Sequence, residues 1–245
     1  MTRLDSKSFD KSDSSVAILF IHGILGNREF FNFLLPFVPS AWTVVNLLLK
    51  GHGGSVSDFG NASMSEWKKQ VREAVAGLRQ QHRRVLIVAH SMGTLFAIRE
   101  SVEGNADGLF LLNTPLKIRL TRRLFETPVK IFRGKISEND VWTQAALDSY
   151  GVEHDPNIFH YFGWIPRYIE LFREIRVVRR LCPDLNVCAE AFISAYDEMV
   201  SPESSKFLKC SSSVVLNILD SSGHYYYTDN DRAFIVERFK NFIGE

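Results

Sequence analysis

The sequence predicts an α/β protein built on a doubly wound, mostly parallel sheet, with one helical insertion. Three observations carry this. Short runs are apolar at every position, as strands covered on both faces require. These runs alternate with stretches whose apolar residues recur at helical spacing, the pattern of a wound sheet with crossover helices. The alternation breaks once, between Asn113 and Asn186.

The first strand is Val16 to Ile21, ending in His22-Gly23 with Gly26 close behind. Glu29 to Phe37 has helical spacing and is closed by Pro39. Trp42 to Leu49 reads as a second strand, followed by the glycine-rich turn from Lys50 to Gly54. A helix follows to about His82, with Val71, Val75 and Leu78 on one face, and Ser63 with Glu66 has capping-box spacing. Val85 to Ala89 is the third strand and runs into His90-Ser91-Met92-Gly93, with a helix from about Thr94 to Val102. Gly108 to Leu112 is the fourth strand, a fifth lies within Val187 to Tyr196, and Val214 to Leu219 is the sixth. Asp231 to Ile243 closes the chain as an amphipathic helix, with Phe234, Ile235, Phe239 and Phe242 expected toward the sheet. In the interrupted interval only Tyr161 to Arg180 is clearly helix-like. The expected organisation is a single domain over residues 1–245, with core 16–116 and 186–245 and a cap at about 117–185 over the carboxyl edge of the sheet.

Composition bounds the function. The chain has 245 residues, 45% hydrophobic and 23% charged, which is ordinary for a soluble globular domain. Lysine plus arginine total 29 against 28 acidic residues, so no global field favours a nucleic-acid partner. Three cysteines, an odd count without CxxC spacing, predict neither a disulfide framework nor a cysteine-based metal site. Free thiols suit a reducing compartment. Met1 to Ser15 is polar, without an apolar run of signal-peptide length, and Val16 to Ile21 is too short to cross a bilayer. A cytoplasmic chain without stable membrane insertion is expected.

The chemistry centres on Ala89-His90-Ser91-Met92-Gly93, between strand and helix. A serine presented at such a corner sits on a tight, strained turn, and small residues are needed two positions to either side. The pentapeptide alone is a weak pattern; its strand-then-helix setting makes it more specific. In this arrangement an acid and then a histidine follow the serine along the chain. His224 lies just past the sixth strand. The fourth strand ends in Leu112-Asn113-Thr114-Pro115 and offers no carboxylate, whereas Asp197 is the first carboxylate past the fifth. Asp197 is therefore chosen, with Glu198 and Asp220 as weaker contenders. In the expected roles, His224 takes the Ser91 proton during attack and Asp197 orients the imidazole. The developing oxyanion needs two N–H donors, assigned to the backbone of Met92 and of Ile24 in the loop after the first strand. His90 is expected to be structural, and His52 to shape a nearby loop.

The stretches LFIHGILGN (19–27), LLLKGHGGS (47–55), VAHSMG (88–93), YDEMVSP (196–202) and SSGHYYY (221–227) together resemble the bacterial carboxylesterases and monoacylglycerol lipases of the α/β-hydrolase superfamily. The resemblance implies a small-molecule ester substrate, no cofactor and no metal. It also implies a Ser91, Asp197, His224 triad with Ile24 and Met92 as oxyanion donors. Ala89 replaces the usual glycine, and the cap matches nothing recognisable, which leaves the substrate open. An acyl thioesterase with the same triad and a non-catalytic binding protein on the same fold are the alternatives.

Within the interval, Phe159, Tyr161, Phe162, Trp164 and Ile165 form an apolar cluster, from which Phe159, Phe162 and Trp164 are taken as acyl-pocket candidates. From Lys117 to Lys135 the chain carries seven basic residues and one acidic, Glu126, the pattern of a solvated face.

Overall fold

A computed structural model describes residues 15–134, 136–137 and 139–244. The polar start of the chain, except Ser15, and Lys135 of the basic run lie outside the described residues.

In chain order the elements are β1 (Val16–Ile21), β2 (Thr43–Leu47), α1 (Val56–Asn61), α2 (Met64–Gln81), β3 (Arg84–His90), α3 (Met92–Val102) and β4 (Gly108–Leu112). There follow α4 (Arg122–Phe132), α5 (Val141–Asp148), α6 (Ile165–Leu181), β5 (Cys188–Ser194), α7 (Ser205–Leu208), β6 (Val214–Leu219) and α8 (Asp229–Ile243). The six strands form one sheet in the order β2-β1-β3-β4-β5-β6, and every pairing is parallel.

The apolar runs are continuous because each strand is covered twice. Along β1, Ala17, Leu19 and Ile21 face one core with α2, α3 and α6, while Val16, Ile18 and Phe20 face another with Phe31, Ile235 and Phe239. Strand order reverses between β1 and β3, where Ile21 pairs with Ala89. In a wound sheet the crevice outside the carboxyl ends of such a pair is where loops diverge and a site can form.

Some expectations need correction. Glu29 to Phe37 is not one helix but two 3-10 turns, Glu29–Phe33 and Leu35–Phe37. Pro36 supplies no backbone donor and its ring opposes the carbonyl four residues back, which works against a single α-helix here. Phe234 turns only partly inward, its ring centre 6.2 Å from that of Phe192 in β5. It is 37% exposed at the edge of α8, whose buried stripe is Ile235, Phe239 and Ile243. The short helix α1 had no apolar periodicity to reveal it; it is nucleated by a capping box between Ser55 and Asp58. Ser63 does cap α2, accepting the Glu66 N–H at 3.2 Å.

Between β4 and β5 lie α4, α5, a 3-10 turn over Ile158–Trp164, and α6. This segment touches the loops at the carboxyl ends of the strands. Gly151 N–H donates to Leu25 O at 2.7 Å, and isolated bridges join Gly54 to Val152 and Ile118 to Val200. Among the described residues no helix is long and apolar enough to cross a membrane.

Candidate active site

The site forms where β1 and β3 end side by side. Ser91 leaves β3 with φ 51° and ψ −124° and caps the N-terminus of α3. Non-glycine residues hold positive φ only where surrounding structure enforces it. Here the enforcement is a backbone bond from Ser91 N–H to Leu112 O at 2.9 Å and the packing of two glycines. A Cβ on Gly93 would run into the carbonyl oxygens of Ile21 and His22, so only glycine lets α3 approach β1. A Cβ on Gly23 would lie 2.7 Å from Ser91 Cβ and 3.3 Å from Ser91 Oγ. The β1 loop therefore passes directly against the hydroxyl.

Three side chains from separate loops meet in line. His224 Nε2 lies 3.0 Å from Ser91 Oγ, and His224 Nδ1 lies 2.7 Å from Asp197 Oδ2. All three residues are buried. Asp197 Oδ1 accepts the N–H groups of Met199 at 2.8 Å and Val200 at 2.6 Å, which leaves Oδ2 aimed at the imidazole. Burial lowers the imidazole pKa of His224, but the Asp197 charge and hydrogen bond, with Glu198 behind them, outweigh it and hold the group above its ordinary 6.5.

The other buried histidines do different work. His22 Nε2 accepts the Leu49 N–H at 3.0 Å, and His52 Nε2 accepts the Leu25 N–H at 3.1 Å. A ring nitrogen that accepts a hydrogen bond carries no proton. Burial agrees, lowering His22 to about 4 and His52 well below its ordinary value. Together they tie the loop after β1 to the loop after β2. His90 stacks on Phe30 at 4.0 Å between ring centres, and its Nε2 lies 3.0 Å from the His224 carbonyl oxygen. It supports the base loop and makes no hydrogen bond to Ser91.

The two expected oxyanion donors belong to the segments that flank Ser91, the start of α3 and the loop after β1. Met92 opens α3, where first-turn N–H groups have no intrahelical partner. In the β1 loop, Gly26 N–H closes on Gly23 O at 3.1 Å and Leu25 N–H goes to His52. The Ile24 N–H is left without a protein acceptor among the described residues. The three aromatic candidates diverge. Trp164 is buried against Phe59 and Tyr161 and donates to Val56 O at 3.0 Å, whereas Phe159 and Phe162 are exposed.

Two further residues bind the loops together: Asn113, which the sequence did not single out, and Glu198, a weaker contender for the acid. Asn113 ends β4 with φ 52° and is fully buried. Its Oδ1 accepts the Ser194 N–H at 2.9 Å, and its Nδ2 donates to the carbonyls of Gly223 at 3.0 Å and His224 at 3.2 Å. One amide thus ties the end of β5, just before the Asp197 loop, to the His224 loop. Glu198 accepts the His224 backbone N–H at 3.0 Å. The only sequence signal for Asn113 was its place at the carboxyl end of a buried strand.

A parallel wound sheet that presents a strained serine at its switch point, within reach of a histidine and an aspartate from later loops, defines a class of protein. The chain belongs to the alpha/beta hydrolase family, whose model matches residues 18–238. It is similar to a structure of the metagenome-derived lipolytic enzymes LipS and LipT, at 19% identity and TM-score 0.73, covering 98% of this chain and 97% of that one. It is also similar to the monoacylglycerol lipase of Paleococcus ferrophilus, at 14% identity and TM-score 0.71, covering 98% and 100%. The enol-lactonase of Burkholderia xenovorans matches at 13% identity and TM-score 0.61, covering 95% and 93%. At these identities the likeness is one of fold. No curated protein matches the chain in sequence.

Proposed function

We propose that the chain is a serine hydrolase of carboxylic esters, acting through a covalent acyl-enzyme. The observation that carries this is the continuous relay from Ser91 Oγ through His224 to Asp197, at 3.0 and 2.7 Å. A hydroxyl is a weak nucleophile at neutral pH, so attack needs a base within hydrogen-bond reach and a partner that stabilises the resulting imidazolium. His224 takes the Ser91 proton as Oγ adds to the ester carbonyl. The backbone N–H groups of Ile24 and Met92 receive the oxyanion, each contributing roughly 3 kcal/mol to lowering the barrier. The protonated His224 then gives its proton to the leaving alcohol. Water, deprotonated by His224, releases the acid and restores Ser91. No cofactor enters these steps.

The segment 117–185 is the proposed insertion; its α6 packs into the core with α2 and α3, and the part before it is the proposed cap. Phe159 and Phe162 are its proposed contacts to an acyl chain, with Trp164 as the packed support beneath. The enol-lactonase neighbour agrees with an ester-type carbonyl as the reacting group, and the lipolytic neighbours with an aliphatic acyl part.

Fluorophosphonate labelling tests the reading. The native chain should label at one site and cleave p-nitrophenyl esters, and Ser91→Ala should do neither. If Ser91→Ala still labels and still cleaves, the assignment fails. A ladder of esters and thioesters of increasing chain length then separates an esterase from a thioesterase, because the relay itself does not distinguish the leaving group.

A further inference from the structure

The proposed base is touched by two carboxylates, and the relay uses only one. Glu198 directly follows Asp197 and is 6% exposed. Its Oε2 accepts the backbone N–H of His224 at 3.0 Å. Its own carbonyl accepts from Thr121 Oγ1 at 2.7 Å, at the start of α4. Gly223 makes room for this approach: a Cβ there would lie 2.8 Å from Glu198 Oε2 and would run into the Trp142 ring. A buried carboxylate is costly unless hydrogen bonds and nearby charge compensate it. The compensation here is His224.

We propose that Glu198 is a positioning residue for His224, whose carboxylate pins the backbone of the base loop and holds a second negative charge beside the imidazole. This rests on the reading of His224 as the base. Asp197 fixes the ring through Nδ1, and Glu198 fixes the main chain that carries it. With both ends held, the imidazole has one orientation relative to Ser91 Oγ. An error of about 1 Å in such a contact is worth on the order of 10² in rate.

The groups facing His224 are few enough to assign. Asp197 and Glu198 come from the loop after β5, and Ser91 and His90 from the end of β3. Tyr225 lies edge-on at 4.7 Å, and Arg119 donates to the Asp197 and Ala195 carbonyls behind the acid. Burial holds His90 neutral and pushes the Tyr225 phenol up, so neither is charged near neutral pH. Burial holds the Glu198 carboxyl above its ordinary value, and the attraction of His224 offsets this only in part. Removing its charge should make the imidazole a weaker base.

The test compares Glu198→Gln, which keeps the shape and an acceptor oxygen, with Glu198→Ala, which removes both. The first readout is the NMR titration of the His224 side chain in the full chain. The midpoint should fall in Glu198→Gln; an unchanged midpoint overturns the proposal. This readout needs no substrate, so it decides the question whether or not the esterase reading holds. The second readout is the rate of fluorophosphonate labelling against pH. The acid limb should move to lower pH in Glu198→Gln, and the plateau should fall about tenfold or more in Glu198→Ala, further than in Glu198→Gln. A merely structural Glu198 would lower the melting temperature in both variants and leave the titration and the limb where they were, which also overturns the proposal. If the native chain does not label at all, the hydrolase reading fails and the titration alone decides for Glu198. If Glu198→Ala does not fold, Glu198→Gln carries the test.

Discussion

The two halves of the segment between β4 and β5 are held in opposite ways. α6 is part of the core. It buries Leu171, Ile175 and Val178, and its buried Glu174 accepts from Arg99 of α3 and Lys68 of α2. Glu170 accepts the Met64 N–H at the start of α2, and Arg167 donates to the carbonyls of Gly60 and Ala62. α4 buries none of its residues. Leu120, Phe125 and Val129 are exposed, and the helix is held at its edges: Thr121 to Glu198, Lys130 to Asp140, and Arg123 over the Trp142 ring. One half is fastened by apolar area removed from water, the other by a handful of polar contacts and the Phe132 ring against His154 and Tyr161. The lesson is that the α6 half sets stability while the α4 half is cheap to displace.

The largest effect should fall outside both halves. Ser91→Ala should lower turnover by on the order of 10⁶. Its melting temperature should change little, since alanine keeps the Cβ and the bent backbone of the turn and removes only an oxygen. Calorimetry beside an ester assay checks this, and a large fall in melting temperature would mean that Ser91 also holds the sheet edge together. Next, Ile175→Ala should destabilise the chain by roughly 2–5 kcal/mol, as truncations of buried isoleucine do. Denaturant unfolding measures it. A value near zero would put α6 in the same loose class as α4 and end the comparison.

A smaller effect is expected from pH. His224 must be neutral to accept the Ser91 proton, and its pKa is raised above 6.5 by the Asp197 charge and hydrogen bond against the opposing effect of burial. Activity should therefore fall as pH drops through a midpoint above the ordinary histidine value. Linkage runs the other way: the proton is bound more tightly when folded, so this contribution to stability is present below pH 6.5 and lost as pH rises through the raised value. A kcat/KM profile that stays flat from neutrality down to pH 5 would remove His224 from the role. The smallest effect belongs to α4. Phe125→Ser, at a position 61% exposed, should change stability by no more than about 0.5 kcal/mol. A larger loss would show that α4 packs on something beyond its edge contacts.

The same contrast explains what the amino acids disclosed in advance. β1, β3 and β4 were legible because burial on both faces demands an unbroken apolar run. α2 was legible through its one-sided spacing. Ser91, Asp197 and His224 could be chosen because each follows a readable strand, in an order that the turn chemistry dictates. α4 was not legible: none of its residues is buried and Phe125 and Val129 are exposed, so it carries no core-facing stripe to read. Asn113 and Glu198 escaped as loop organisers because their bonds join loops distant in the chain, and no local pattern encodes such a contact.

Among the described residues, three other than glycine have positive φ: Leu25 at 57°, Ser91 at 51° and Asn113 at 52°. They lie just past the carboxyl ends of β1, β3 and β4. Each such turn stores on the order of 1–3 kcal/mol. A laboratory screen that rewarded heat tolerance alone would be drawn to the bends at Leu25 and Ser91, where glycine relaxes the backbone, but not to Asn113, whose amide holds Ser194, Gly223 and His224. The survivors would be hardier and chemically dull. Anyone breeding a robust version should leave those three corners alone and work on the far side of the sheet.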